Sequence, residues 1–161
     1  MIEIRPAGRG AILLAEQLVP LPPERVVPFF AAAENLEAIT PPWLRFSIVT
    51  EDPRIFAGAV IDYRLRLHGL PLRWRTEITV WDPPHRFVDT QLEGPYQLWQ
   101  HEHAFRPHPE GTMVFDRVRF RAPGPRFATL GPVARDVRAV FRFRETALLR
   151  ALGVSGEPRS G

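Results

Sequence analysis

From Leu44 to Arg121 the chain alternates between apolar and polar residues. The stretch "AVIDYRLRLHG" sets Ile61, Tyr63, Leu65 and Leu67 on one face and Asp62, Arg64, Arg66 and His68 on the other. "LRWRTEITV" repeats the pattern, with Leu72, Trp74, Thr76, Ile78 and Val80 against Arg73, Arg75, Glu77 and Thr79. A period of two is that of a strand. "LRFSIV", "RFVDTQL", "YQLWQHEHAF" and "TMVFDRVRF" continue it, and "HGLP", "DPPH", "EGP" and "PHPEG" interrupt it with turn residues. Strands with one apolar and one charged face predict an antiparallel sheet that is wet on one side.

The two ends read differently. "GAILLAEQLV" at 10–19 predicts a first strand. In the next segment Pro22 and Pro23 suit the first turn of a helix, and Val26, Val27, Phe30 and Ala33 have helical spacing. Pro28 removes a backbone donor and keeps that helix short or kinked, and "TPPW" ends it. Toward the C-terminus, Leu130, Val133, Val137, Val140, Phe141, Leu148 and Leu152 form the stripe of a long helix. Arg135, Arg138 and Arg142 lie on another side, and Gly153 is its expected stop. Gly131 and Pro132 imply either a break or the true start of that helix. The expected order is strand, short helix, about six strands and one long helix. The sheet must bury its apolar face, and the long helix is the available lid. A twisted sheet curling round one helix encloses space between them.

Composition narrows the chemistry. The 161 residues, 45% of them hydrophobic, suit one domain, expected over 1–153 with a loose tail at 154–161. There is no cysteine, which excludes disulfides, thiol catalysis and thiolate metal sites. All 21 basic residues are arginine, so lysine Schiff-base chemistry is excluded as well. A net charge of +3 gives little reason to expect a nucleic-acid partner. Eighteen prolines without cysteine point to a thermophile, whereas the missing lysine points the other way. No apolar run is long enough for a membrane span or a signal peptide, so the expected compartment is the cytoplasm, with no stable membrane insertion.

The stretches "PPERVVPFFAAAENLEAITPPWLRF", "WDPPHRFVDTQLEGPYQLWQHEHAF" and "GTMVFDRVRF", with the final helix, resemble the SRPBCC superfamily. That superfamily includes START-related lipid-binding domains, pollen-allergen-like binders and polyketide cyclases, and the likeness is to its bacterial single-domain ligand-binding branch. The resemblance implies an α+β helix-grip fold. In it a curved antiparallel sheet of about seven strands wraps a long C-terminal helix, short helices follow the first strand, and an apolar cavity lies between sheet and helix. It also implies a small hydrophobic ligand such as a lipid, isoprenoid or polyketide-like aromatic. It does not decide between carrier, sensor and enzyme.

The chemistry concentrates in "WQHEHAF". Trp99, His101, His103 and Phe105 share one face, and the aromatics want burial, so the histidines point inward. Asp116 lies on the apolar face of the next strand, between Val114 and Val118, and needs a partner there. If Arg106 pairs with Gly111, that partner is His101; a shift of two residues would oppose Asp116 to His103 or Trp99. Three readings compete. A metal site lacks a visible third ligand, and no metal or cofactor is expected. Acid–base catalysis would use His101 with Asp116 orienting its ring. The reading adopted is a buried pair that satisfies itself or orients the polar end of a ligand.

Other inner-face residues, Tyr63, Leu65, Trp74 and Thr76, with Val137 and Phe141 from the helix, divide between core and cavity wall. Trp43 in "TPPWLRF" either gates a cavity mouth or anchors the corner. Arg64, Arg66, Arg73 and Arg75 form an outer ladder, read as a solvated face balanced by Glu77, Asp89, Glu93 or Glu102. His68, His85 and His108 fall at turns and are expected to be exposed.

Overall fold

In the computed structural model, residues 1–154 are described, except for the side chains of 126–129. The expected tail therefore lies, from Ser155 on, outside the described residues. The elements run β1 (Ile2–Ala7), β2 (Gly10–Val19), α1 (Pro23–Ala31), α2 (Asn35–Ala38), a 3-10 turn (Pro42–Leu44), β3 (Ser47–Ile48), β4 (Val60–Leu67), β5 (Leu70–Asp82), β6 (Arg86–Glu93), β7 (Leu98–His108), β8 (Gly111–Arg121) and α3 (Arg126–Ala151).

The strands form one antiparallel sheet in the order β1-β2-β8-β7-β6-β5-β4-β3. From β3 to β8 it is a meander, and β2 then pairs with β8 to bring the N-terminal hairpin alongside. This is the expected α+β helix-grip with one strand more than the pattern predicted. The additional strand is β1, in "IEIRPA", whose Pro6 donates nothing and is tolerated because β1 is an edge.

β5 carries a bulge. Ile78 pairs with Asp89 but Val80 pairs with Val88, so Thr79 is the extra residue. Beyond it the faces exchange: Trp81 lies opposite the inward Phe87, and Val80, expected inside, takes the outer face.

α3 runs unbroken through Gly131 and Pro132, so the alternatives of a break or a later start are both set aside. Gly153, at φ 71, stops it as expected, and the Val154 amide donates to the Leu149 carbonyl at 2.8 Å. Its inner stripe packs Val137 and Phe141 on Leu13, Val118 and Phe120, and Leu148 on Val26, Phe30 and Phe105. Polar ties fix its position: Gln17 Nε2 donates to the Glu145 carbonyl at 2.7 Å. α1 and α2 close the same side, with Phe30 against Phe105 at 5.0 Å. These two packed clusters leave a cavity between the middle of α3 and strands β4–β7.

Candidate functional site

Strand pairing assembles the site. Across β6 and β7, Phe87 opposes His103 and Asp89 opposes His101; across β7 and β8, His103 opposes Asp116 and His101 opposes Val118. Directly opposed residues share a face. Two histidines and two aspartates therefore meet on the inner side of three neighbouring strands.

The β7–β8 register corrects the expectation. His108, not Arg106, pairs with Gly111, so Asp116 lies opposite His103 rather than His101. The turn His108-Pro109-Glu110-Gly111 carries proline second and glycine fourth, a favoured tight-turn composition. Gly111 has φ 142, and a Cβ there would sit 2.1 Å from the Val19 carbonyl oxygen. Glycine is required at that position.

The correction does not separate His101 from Asp116. One oxygen, Asp116 Oδ1, lies 2.8 Å from His101 Nε2, a hydrogen bond, and 2.9 Å from His103 Nδ1, outside hydrogen-bond geometry. On the other side, Asp89 Oδ2 lies 3.7 Å from His101 Nδ1 and 3.5 Å from His103 Nε2. The two rings are sandwiched between carboxylates, 3.8 Å apart at their centroids. Phe87 stacks on His103 at 4.3 Å and Phe141 meets His101 edge-on at 5.5 Å, so each ring also packs against an aromatic neighbour. Thr76 Oγ1 donates to Asp89 Oδ1 at 3.4 Å.

Burial and charge set the protonation. Burial alone raises the Asp116 carboxyl, but the contacts with His101 and His103 outweigh it and hold Asp116 well below the usual carboxylate range. Asp89 is lowered in the same way: burial opposes, and His103, His101 and the Arg144 charge prevail. Burial pushes His103 down, yet Asp116 and Asp89 together lift it above its ordinary value. His101 is lowered, by burial and then by the neighbouring His103 charge, which its aspartate contacts only partly offset. The opposite shifts set the two imidazoles apart, His103 holding a proton more tightly than His101, while the hydrogen bond to the Asp116 carboxylate requires a proton on His101 Nε2.

The cavity above this cluster measures about 190 Å³. Of the residues expected at the site, Tyr63, Leu65, Trp74, Trp99, His101, His103 and Val137 line it. Thr76, Phe105, Asp116 and Phe141 lie in the packed layer around it, with Asp116 behind the two histidines. Trp43 is 57% exposed and packs edge-on against Phe143 at 5.6 Å, while its neighbour Leu44 reaches the cavity.

Asp89, Arg144 and Tyr96 are among the lining residues that the sequence pattern does not place there. Asp89, assigned by that pattern to the outer arginines, faces inward because it follows Phe87 by two. Arg144 occupies the gap in the α3 stripe between Phe141 and Leu148, and its guanidinium lies 5.1 Å from the Phe141 ring. It makes no hydrogen bond or ion pair among the described residues, and its Nε is buried without a partner. Burial lowers its affinity for the proton, which Asp116 and Asp89 partly restore. Tyr96, in the turn before β7, is held by Gln91, whose Nε2 donates to its carbonyl at 2.7 Å, and packs on Trp99 at 4.8 Å.

The outer ladder is partly balanced. Arg75 pairs with Asp62 at 2.8 Å and with Glu93 at 3.6 Å, and Arg86 with Glu102 at 3.1 Å. Arg64, Arg66 and Arg73 have no acidic partner within 4 Å among the described residues, and Arg64 lies directly opposite Arg73. His68 is exposed at the β4–β5 turn, and its Nε2 meets Asp136 of α3 at 2.7 Å, at one end of the cavity. Among the described residues, no helix is long and apolar enough to cross a membrane.

The chain resembles solved structures over most of its length. Protein CV1439 from Chromobacterium violaceum superposes with a TM-score of 0.71 at 13% identity, over 89% of this chain and 99% of that one. TTHA0849 from Thermus thermophilus gives 0.59 at 26% identity, over 88% and 93%. The ginseng major latex-like protein 151 from Panax ginseng gives 0.65 at 15% identity, over 88% and 99%. No curated protein matches the sequence. Residues 13–153 match the family described as polyketide cyclase / dehydrase and lipid transport. With the helix-grip sheet and the cavity between it and α3, that match makes the chain a member of this family, within the SRPBCC superfamily.

Proposed function

We propose that the protein is a carrier or sensor that binds a small, mainly apolar molecule between the sheet and α3, with its polar end at the His101–His103–Asp89 floor. The observation that carries this is the cavity itself. Its walls are mostly aromatic and aliphatic, and polar groups gather at a few points, the composition of a ligand site. Its 190 Å³ is several times the ~30 Å³ share of one water in the liquid, which speaks against a fully packed core. It exceeds the ~150 Å³ cavity that admits benzene, and lies below the ~300–1,000 Å³ typical for drug-sized ligands. Within the family's range, one- or two-ring aromatics and short isoprenoids fit better than a two-chain lipid. An apolar body of about 200 Å² would gain ~5 kcal/mol before ordering costs.

Native mass spectrometry of gently purified protein, followed by identification of whatever is extracted, tests the proposal. A defined hydrophobic mass that the cavity-filling Val140→Trp variant no longer carries is the expected result. A bare protein that also gains no thermal stability from a panel of one- and two-ring compounds would overturn it.

A second reading draws on the 2.8 Å His101–Asp116 hydrogen bond in the cavity wall. An imidazole oriented by a carboxylate suits acid–base catalysis of the cyclase or hydrolase type. Under that reading His101→Ala abolishes turnover while affinity changes little. Under the carrier reading the same change alters affinity or selectivity and there is no turnover to lose.

A further inference from the structure

The buried cluster has a geometry that ligand orientation alone does not require. Asp116 gathers the outer ring nitrogens, His101 Nε2 and His103 Nδ1, within 2.8 and 2.9 Å of one oxygen. The inner nitrogens, His101 Nδ1 and His103 Nε2, both turn toward Asp89 Oδ2, at 3.7 and 3.5 Å. Those separations exceed the ordinary N–H···O range of ~2.7–3.2 Å. They are close instead to the ~3.4 Å edge of a tetrahedron with metal–ligand bonds of ~2.1 Å. One ligand atom from each of Asp89, His101 and His103 lies within 4.8 Å of the other two.

We propose that Asp89 Oδ2, His101 Nδ1 and His103 Nε2 form a site for one divalent first-row transition ion, zinc(II) or iron(II) by donor type. Two imidazoles and one carboxylate are the donor set of such ions, whereas magnesium and calcium prefer oxygen alone. All three residues line the cavity, so the remaining coordination positions open into it. Asp116 is a positioning residue here. It accepts from His101 Nε2 on the far side of that ring, fixing its tautomer and direction, as carboxylates do behind metal-bound histidines, and lies 2.9 Å from His103 Nδ1. Two partly buried aspartates supply charge to match a dication. The site goes beyond the ligand-binding reading and does not rest on it, since metal uptake is measured without any organic ligand.

The experiment is titration of chelator-treated, dialysed protein with zinc chloride by calorimetry and with cobalt chloride by visible absorption. One equivalent should bind, and cobalt should develop the intense d–d bands of four-coordination. Asp89→Asn and His103→Gln should weaken zinc by more than about 100-fold, and Asp116→Asn by roughly 10–100-fold. His85→Ala, at an exposed turn, should change nothing. Absence of binding by the folded wild-type protein, or undiminished binding by Asp89→Asn, sinks the proposal. If the variants fail to fold, 15N chemical shifts of the wild-type histidine rings decide. Zinc must move the His101 and His103 nitrogens, and shifts confined to other histidines overturn the site.

Discussion

At the residue scale the decisive group is Asp116, a largely buried carboxylate within 3 Å of two imidazoles. Removing one partner of a buried charged set leaves the other uncompensated and typically costs ~3–5 kcal/mol. We expect Asp116→Asn to lower stability by about 3 kcal/mol, read as a reduced urea midpoint at unchanged m-value. The outer pair Arg75–Asp62 has similar geometry but half-exposed partners. Arg75→Gln should therefore leave the urea midpoint nearly unchanged, and a clear drop would show that the outer face is more than solvated. Inward histidines and Asp116 were legible because aromatics and valines flank them at period two. Asp89 and Arg144 obeyed the same rules, two after Phe87 and three after Phe141, but a lone charge in an amphipathic element is by default solvent-facing. Only the neighbouring strands supply the partners that make its burial tolerable.

At the scale of elements, register decides which groups meet. The β7–β8 hairpin closes on Gly111, where a Cβ would collide with the Val19 carbonyl and the φ of 142 disfavours any side chain. Gly111→Ala should cost more than about 2 kcal/mol in chemical unfolding. Gly131 is the contrast: it lies inside α3 with nothing within 4 Å of a built Cβ. Gly131→Ala should stabilise by about 0.5–1 kcal/mol, seen as a higher melting temperature; a loss would mean that α3 needs its glycine for a bend. Alternation revealed β4 to β8 because each has one dry and one wet face. It could not reveal the bulge at Thr79, since an extra residue is visible only against the partner strand. β1 was hidden because its proline and arginines suit an edge, where pairing on one side suffices. The hairpin register failed for a similar reason: several turn residues in "RPHPEG" offered more than one closure, and the collision at Val19 that fixes Gly111 comes from β2, remote in sequence.

At the scale of the whole molecule, the sheet and α3 pack together in two clusters and leave space between them, so the fold forgoes packing that a filled core would gain. Cavities of this kind lower stability roughly in proportion to their volume. Retaining one is understandable where function needs the space. The two demands can be set against each other in one experiment. Val140 projects from α3 into the cavity and is only half-buried, so a larger side chain there has room. Val140→Trp should leave the free protein at least as stable as the wild type. With 2-naphthol as the probe, the wild type should gain ~2.7 kcal/mol at a ligand concentration 100 times its Kd, and Val140→Trp should gain nothing at that concentration. Equal ligand-dependent stabilisation in both proteins would place binding elsewhere on the surface. If the variant is destabilised and still binds, α3 shifts to accommodate the new ring and the cavity is set by that helix's freedom to move, not by the fixed shape of the sheet.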